Sequence, residues 1–452
     1  MRPAVTPRAR PSGRTSCLAA LVLLCATAPV GATAQAASAD PEVRAALAQP
    51  LSLSQCVQLA EQSEPVLLSQ RAQQKEATAL MEQARMLPNP SLSYVAQDLG
   101  LQGPGGPQLL HQVMVGVAPF AALLRIQEVR AASAGRNQAV AAAQAELQQL
   151  RGAVGRAFYE LLLLEKLHLV EQEAVALATE LVTETQTQKQ HGEASGLEVL
   201  RAQAEQLDAQ REAERSAHQL ELAQRAFSIL LGAATPQPIQ ILEEAPATTE
   251  QLPPRIQQLL AGMPGPDVEA HVASLVREAL SHRPELLQHN AAQRQATELT
   301  RLLTLRTLPL SDLQVAGGVR FSALGVGGVV ALTGTLPLLD WNVGPQHRAQ
   351  AQGLRAQARG LAAQRQIALE VESSYRDFLQ AHKLRVQRGK PLRELRARVL
   401  AAVRKQFAEG VVSLLDVVTA HRDFLLAQRT LHQIERDALV ARWRLAVAVD
   451  AW

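Results

Sequence analysis

The chain of 452 residues is poor in cysteine, in aromatic side chains and in long apolar runs. Three Cys (Cys17, Cys25, Cys56) cannot build a disulfide framework, and their spacing fits no zinc motif. Only 3% of residues are aromatic, and no basic stripe interleaves with them, so the electrostatic footprint of a nucleic-acid binder is missing. Beyond the N-terminus no run of about 20 apolar residues occurs, which argues against helical membrane spans. There is no H-E-x-x-H, no P-loop and no G-x-S-x-G. Gly325, Gly327 and Gly328 follow a strand-like segment but open no helix, so they are not a dinucleotide fingerprint. The eleven His are scattered, and no pair stands at i, i+4 with an acid. His421 and His432 read as surface residues. No enzyme, cofactor or metal site is expected. Disorder is excluded too, because 47% of the residues are hydrophobic.

What is present begins with an address. Arg2, Arg8, Arg10 and Arg14 precede the apolar stretch Leu18–Val30, which is too short to span a bilayer. Small residues follow at Ala32–Ala34 and Ala34–Ala36. Residues 1–36 read as a secretory signal, against the alternative of a disordered basic tail. Cys25 follows Leu24, a poor context for lipidation. Removing the signal leaves 41 basic against 42 acidic residues, so the excess of positive charge belongs to the discarded segment. Cys56 then stands alone and reads as a small buried hydrophobe.

The rest of the chain repeats itself at an offset of about 218 residues. Gly192-x-x-Ser195-x-Leu197-Glu198-Val199-x-x-Ala202 answers Gly410-x-x-Ser413-x-Leu415-Asp416-Val417-x-x-Ala420, and Ala209-Gln210-Arg211 answers Ala427-Gln428-Arg429. The reading is a tandem duplication: residues 37–232, a Pro-rich link at 233–271, and residues 272–452. Each half begins with a helix of about 35 residues (Leu53–Leu87; Val272–Leu308) ended by Pro. Two strand-like segments follow, then a very long helix, a tight turn and another helix. The first long helix, Ala121 to about Gln190, contains no Pro and would be on the order of 100 Å long. Its partner, Val343–Glu409, contains Pro391, which should kink or break it. Helices of this length, rich in small residues, suit coiled-coil or α-barrel packing, or a plain helical bundle. Gly192 and Gly410 stand at helix C-caps. Ser195 and Ser413 then stand at N-caps, with Glu198 and Asp416 in the capping-box position.

Four segments alternate with the period of a strand. Leu92, Tyr94 and Ala96 oppose Ser93, Val95 and Gln97. Val113, Val115 and Val117 oppose Gln112, Met114 and Gly116. Leu313, Val315, Val319 and Phe321 oppose Asp312, Gln314 and Arg320. Val330, Leu332 and Leu336 oppose Thr333 and Thr335. Turn-rich stretches, Gly100–Pro107 and Ala323–Gly328, connect each pair. The lengths fit tilted transmembrane strands or a small soluble sheet packed on the helices. Four strands cannot close alone, whereas three copies would give a twelve-strand barrel.

The order of these elements resembles the outer-membrane efflux protein family, the TolC-like exit ducts of Gram-negative bacteria. The resemblance covers nearly all of residues 51–452. It rests on Leu51-Ser52-Leu53-x-x-Cys56-x-x-Leu59-Ala60 with Pro65, on Leu87-Pro88-Asn89-Pro90-Ser91-Leu92, on Pro337-Leu338-Leu339-Asp340, and above all on Gly410-x-x-Ser413-Leu414-Leu415-Asp416-Val417. It implies a mostly α fold with a small β part: a homotrimer with a long-helix α-barrel in the periplasm and a shared twelve-strand barrel in outer-membrane lipid. The implied function is a passive exit duct of a tripartite efflux pump for small molecules or metal ions. A periplasmic adaptor would link it to an inner-membrane pump. The alternatives are the duct of a type I protein secretion system and a periplasmic coiled-coil scaffold. By the same resemblance the tips at Gly192, Ser195, Leu197, Gly410, Ser413 and Leu415 would dock the adaptor. Asp416, with Glu198 as its repeat equivalent, would narrow the pore or only cap its helix. Thr419 stands where some members carry a second acid.

Overall fold

The computed structural model describes residues 47, 49–98, 109–192, 194–242, 268–308, 311–322, 325–335 and 340–449. The secretory signal, the Gly100–Pro107 connection, most of the Pro-rich link and Leu336–Leu339 lie outside the described residues.

The first half runs α1 (Leu53–Gln62), α2 (Glu64–Arg85), β1 (Ser91–Asp98), β2 (Leu109–Val117), α3 (Ala121–Gln190) and α4 (Gly196–Leu230). The second runs α5 (Val268–His282), α6 (Pro284–Leu305), β3 (Gln314–Ser322), β4 (Gly325–Thr333), α7 (Val343–Leu384), a π-helical turn (Arg385–Gly389), α8 (Lys390–Ala408) and α9 (Leu414–Ala448).

Three expectations need correction. The opening helix of each half is two helices, broken at Ser63 and at Arg283. Both breaking residues are extended, with ψ of 139° and 123°. Pro65 and Pro284 sit in the first turn of the helix that follows, where a missing N–H costs nothing, and Pro284 bars Arg283 from helical geometry. The fourth strand starts at Gly325 rather than Val329, and Gly327 and Gly328 pair with Arg320 and Val319 inside the sheet. Glycine there is a strand residue and not part of a turn. His421 is buried, not on the surface.

Pro391 acts as expected. The helix loses its α register just before it, in the π-helical turn Arg385–Gly389, while α3 runs unbroken for 70 residues. Gly389 in that turn lies against α9, where an added Cβ would stand 2.9 Å from Leu431 Cδ1.

The core is distributed along the bundle. One cluster joins Cys56, Val154, Phe158, Leu231, Ile239 and Trp443. Here Leu51 pairs with Ile241 as a parallel bridge, tying the start of the chain to the link between the halves. A second cluster holds Leu275, Val371, Tyr375 and Leu445. A third, near the turns, joins Leu181, Ala202, Phe407, Leu414 and Val417 from α3, α4, α8 and α9. Among the described residues Cys56 takes part in no disulfide, and it is fully buried. Among the described residues, no helix is long and apolar enough to cross a membrane.

Candidate functional site

The chemistry of the chain is concentrated at two places: a four-stranded sheet and a pair of helix-hairpin tips.

The sheet is antiparallel, in the order β1-β2-β3-β4. Its register aligns side chains into rows: Leu92–Val115–Gly317–Val330, Tyr94–Val113–Val319–Gly328, and Val117–Val315–Leu332. Because successive residues alternate faces, these rows share one face with His111, Phe321 and Val326. That face is apolar and exposed: Val330 is 82% accessible, Leu92 75%, Val326 70% and Leu332 67%. Soluble monomers rarely leave so continuous an apolar surface uncovered. Tyr94 and His111 stack on it and share a hydrogen bond of 2.7 Å between Oη and Nδ1.

The opposite face is mixed and carries the polar side chains. Ser91, Ser93 and Gln97 of β1, Gln112 of β2, and Arg320 of β3 lie there with the small residues Ala316, Gly318, Gly327 and Ala331 and the apolar Val95, Leu110, Met114 and Val329. At Gly318 an added Cβ would stand 2.0 Å from the Val113 carbonyl oxygen and 2.7 Å from Met114 Cα. β2 therefore approaches β3 closely on this side, which fits a sheet curved towards it. A curved sheet with its polar side chains in the hollow and an apolar back has the geometry of a barrel wall. Among the described residues β1 and β4 each pair on one side only, so both edges offer open hydrogen-bonding groups.

The tips are two helix stops followed at once by helix starts. Gly192 and Gly410 end α3 and α8 with φ of 81° and 72°, a left-handed conformation that glycine adopts without a Cβ penalty. Ser195 and Ser413 begin α4 and α9 with reciprocal capping boxes. Ser195 N donates to Glu198 Oε2 at 2.6 Å, and Glu198 N donates to Ser195 Oγ at 3.3 Å. Ser413 N and Oγ both donate to Asp416 Oδ2, at 3.0 and 2.7 Å, and Asp416 N donates to Ser413 Oγ at 3.4 Å. Bonds from the Ser413 hydroxyl and backbone hold the Asp416 carboxyl below its ordinary range. The backbone and then the side chain of Ser195 do the same for Glu198. Both acids thus cap their helices. Leu197 and Leu415, one residue before them, are 58% and 64% exposed.

The apolar cluster of Ala202, Phe407, Leu414 and Val417 packs the two hairpins together just behind the tips. Ion pairs cross the same seam: Arg404–Glu180 at 2.7 Å and Arg422 with both oxygens of Glu205. His421 lies in this seam at 5% exposure, with Nε2 lacking a hydrogen-bond partner among the described residues. Sequence reading missed it, although the spacing Leu414, Val417, His421, Leu425 places it on the buried face of α9.

No family model matches the sequence, and no curated protein matches it. Solved structures do. The outer membrane protein VceC from Vibrio cholerae is 17% identical with a TM-score of 0.68, over 88% of this chain and 95% of VceC. The transmembrane channel CusC is 14% identical with a TM-score of 0.69, over 89% of this chain and 93% of CusC. The Campylobacter jejuni outer membrane channel CmeC is 14% identical with a TM-score of 0.65, over 88% and 85%. The chain has the TolC-like fold of these outer-membrane channels. At such identities it is the fold that is shared.

Proposed function

We propose that this chain is the outer-membrane subunit of a tripartite efflux pump, a passive exit duct from periplasm to exterior. The observation that carries the reading is the sheet, whose apolar back is bare and whose two edges are open. A lone sheet of this kind would aggregate in water and could not close in lipid. Three copies joined edge to edge give twelve strands, an even number suited to an outer-membrane barrel. The repeated order of elements and the matched capping boxes support a tandem duplication.

In this reading the long helices form the periplasmic tunnel, and the tips at Gly192, Ser195, Leu197, Gly410, Ser413 and Leu415 meet a periplasmic adaptor. The adaptor couples the duct to an inner-membrane pump, which supplies the energy. Small molecules or metal ions are the cargo class. Asp416, with Glu198 behind it, lines the narrow mouth in addition to capping its helix. The bare apolar sheet speaks against a periplasmic scaffold.

Planar-bilayer recording on the detergent-purified protein tests the duct. Discrete, stable openings are expected, with a larger conductance for Asp416→Ala. Protein that stays soluble without detergent and never inserts would refute the duct. Openings unchanged by the substitution would leave Asp416 with its capping role alone.

A further inference from the structure

We infer that Arg320 forms a cationic ring inside the exit end of the barrel and binds multivalent anions there. The inference rests on the duct reading, because it needs three copies closed around one axis.

Arg320 is on β3, two residues before the end of the strand at Ser322, where the chain turns back into β4. The other end of both strands leads to the helices. Arg320 therefore lies near the end of the sheet farthest from the helical tunnel. The register places it between Gln112 and Gly327, on the face opposite the apolar one. Among the described side chains it is the charged one on that face, and it is exposed. Among the described residues no acid forms a salt bridge with it. Gly327 opposite leaves room: an added Cβ there would stand 3.8 Å from Arg320 Nη2. The strand connections 99–108 and 323–324 contain no charged residue in sequence, so no acid there offsets the guanidinium.

The dimensions make one Arg per copy sufficient. Twelve strands about 4.8 Å apart and tilted about 40° wrap a backbone cylinder of roughly 12 Å radius. An extended Arg stem carries its head roughly 6 Å inward. Three guanidiniums then stand on the order of 10 Å apart, about one Debye length at 0.1 M salt, so their fields overlap on the axis. Each presents five donors in a planar fork suited to phosphate or carboxylate oxygens. The ligand class is a compact polyanion, and a monovalent anion would be held only weakly.

The experiment is single-channel recording with inorganic tripolyphosphate added to one side at a time. Protein inserted from one chamber leaves its helices there and its exit mouth facing the other. Wild-type channels should be blocked from the exit side at far lower concentration than from the tunnel side, and the block should fade as salt rises. Arg320→Gln should raise the half-blocking concentration from the exit side by roughly tenfold or more, while Arg320→Lys keeps most of the block. Equal block from both sides of the wild type overturns the ring, and this measurement needs no variant. So does exit-side block that Arg320→Gln leaves unchanged. An absence of any channels in the wild type defeats the duct itself, a result separate from channels that conduct but are not blocked.

Discussion

Gly155 offers a sharp test of the core. It lies in α3 beneath the indole of Trp443, which comes from α9 and is 3% exposed. A Cβ at 155 would stand 2.0 Å from Trp443 Nε1, 2.1 Å from Cε2 and 2.5 Å from Cδ1. Comfortable contact needs about 3.5 Å, so the indole must retreat by more than an ångström. Overpacking of this kind costs about 1–3 kcal/mol, offset in part by the roughly 1 kcal/mol that Gly→Ala returns in a helix interior. Gly152, one turn earlier, is the control: its added Cβ would meet only Val447 Cγ1, at an ordinary 3.7 Å. Gly152→Ala should therefore stabilise by about 0.5–1 kcal/mol and Gly155→Ala should destabilise by up to about 2 kcal/mol. The assay is thermal unfolding in detergent by circular dichroism, with tryptophan emission recorded in parallel. Gly155→Ala should melt earlier, with a red-shifted emission as Trp443 is displaced. Equal or higher stability for Gly155→Ala than for Gly152→Ala would refute the argument.

Further expectations concern the tips, the seam and the sheet. Ser413→Ala and Ser195→Ala should each cost about 1 kcal/mol of local helix stability, seen as faster amide exchange in the first turn of α9 or α4. Because the folded pKa values of Asp416 and Glu198 are lowered, their capping contribution is present above the ordinary carboxylate pKa and lost as pH falls through the lowered values. Tip exchange should thus accelerate as pH falls below the ordinary carboxylate range, and Asp416→Asn should show the faster rate at neutral pH. His421 is held below its ordinary pKa, first by burial and then by Arg404 and Arg422, while Glu205 and Glu173 oppose the shift. Its unfolded form takes up a proton before its folded form does, so stability should fall as pH drops below about 6.5, and His421→Gln should flatten that part of a melting-temperature profile. Val330→Arg on the apolar face should cost about 2–4 kcal/mol per copy near mid-membrane, checked by yield in the outer-membrane fraction against total protein.

Much of this arrangement was legible in the sequence because it depends on local chemistry. The absence of Pro from Ala121 to Gln190 predicts an unbroken helix, and the glycine and capping-box pairs predict the tips. Strict alternation predicts β1 from Ser91 to Asp98. The misses have a common cause, which is that glycine and proline carry position-dependent meaning. Pro65 and Pro284 start helices, so they break the chain ahead of themselves rather than inside a helix. The glycines at 325–328 suggest a turn in sequence, but a strand beside Arg320 and Phe321 uses them as small residues in the hollow face or as gaps in the apolar one. The curvature at Gly318 depends on how closely β2 approaches, a distance that no one-dimensional pattern records. His421 was misplaced because its residue type outweighed its position, although its spacing from Val417 and Leu425 assigns it to the seam.

The seam also shows what its charges do. Among the described residues, four arginines of the second hairpin pair with glutamates of the first, all with the same polarity: Arg404 with Glu180 and Glu184, Arg422 with Glu205, Arg429 with Glu171 and Arg436 with Glu160. Lys166–Glu435 runs the other way, but at 4.0 Å. The more exposed of these pairs, those of Arg404 and Arg436, are worth at most about 1 kcal/mol each, so they do not hold the hairpins together; the apolar cluster behind the tips does that. Their consistent polarity instead disfavours alternatives. A shift of the second hairpin by one turn along the first would carry each Arg away from its Glu, whereas apolar side chains are less particular about their partners. The charges select one register among several that the apolar face would accept. That register sets where Asp416 stands relative to Glu198. Exchanging Glu205 and Arg422 between hairpins should therefore restore the alignment of the tips that either single charge reversal disturbs, as read by a spin-label distance between α4 and α9.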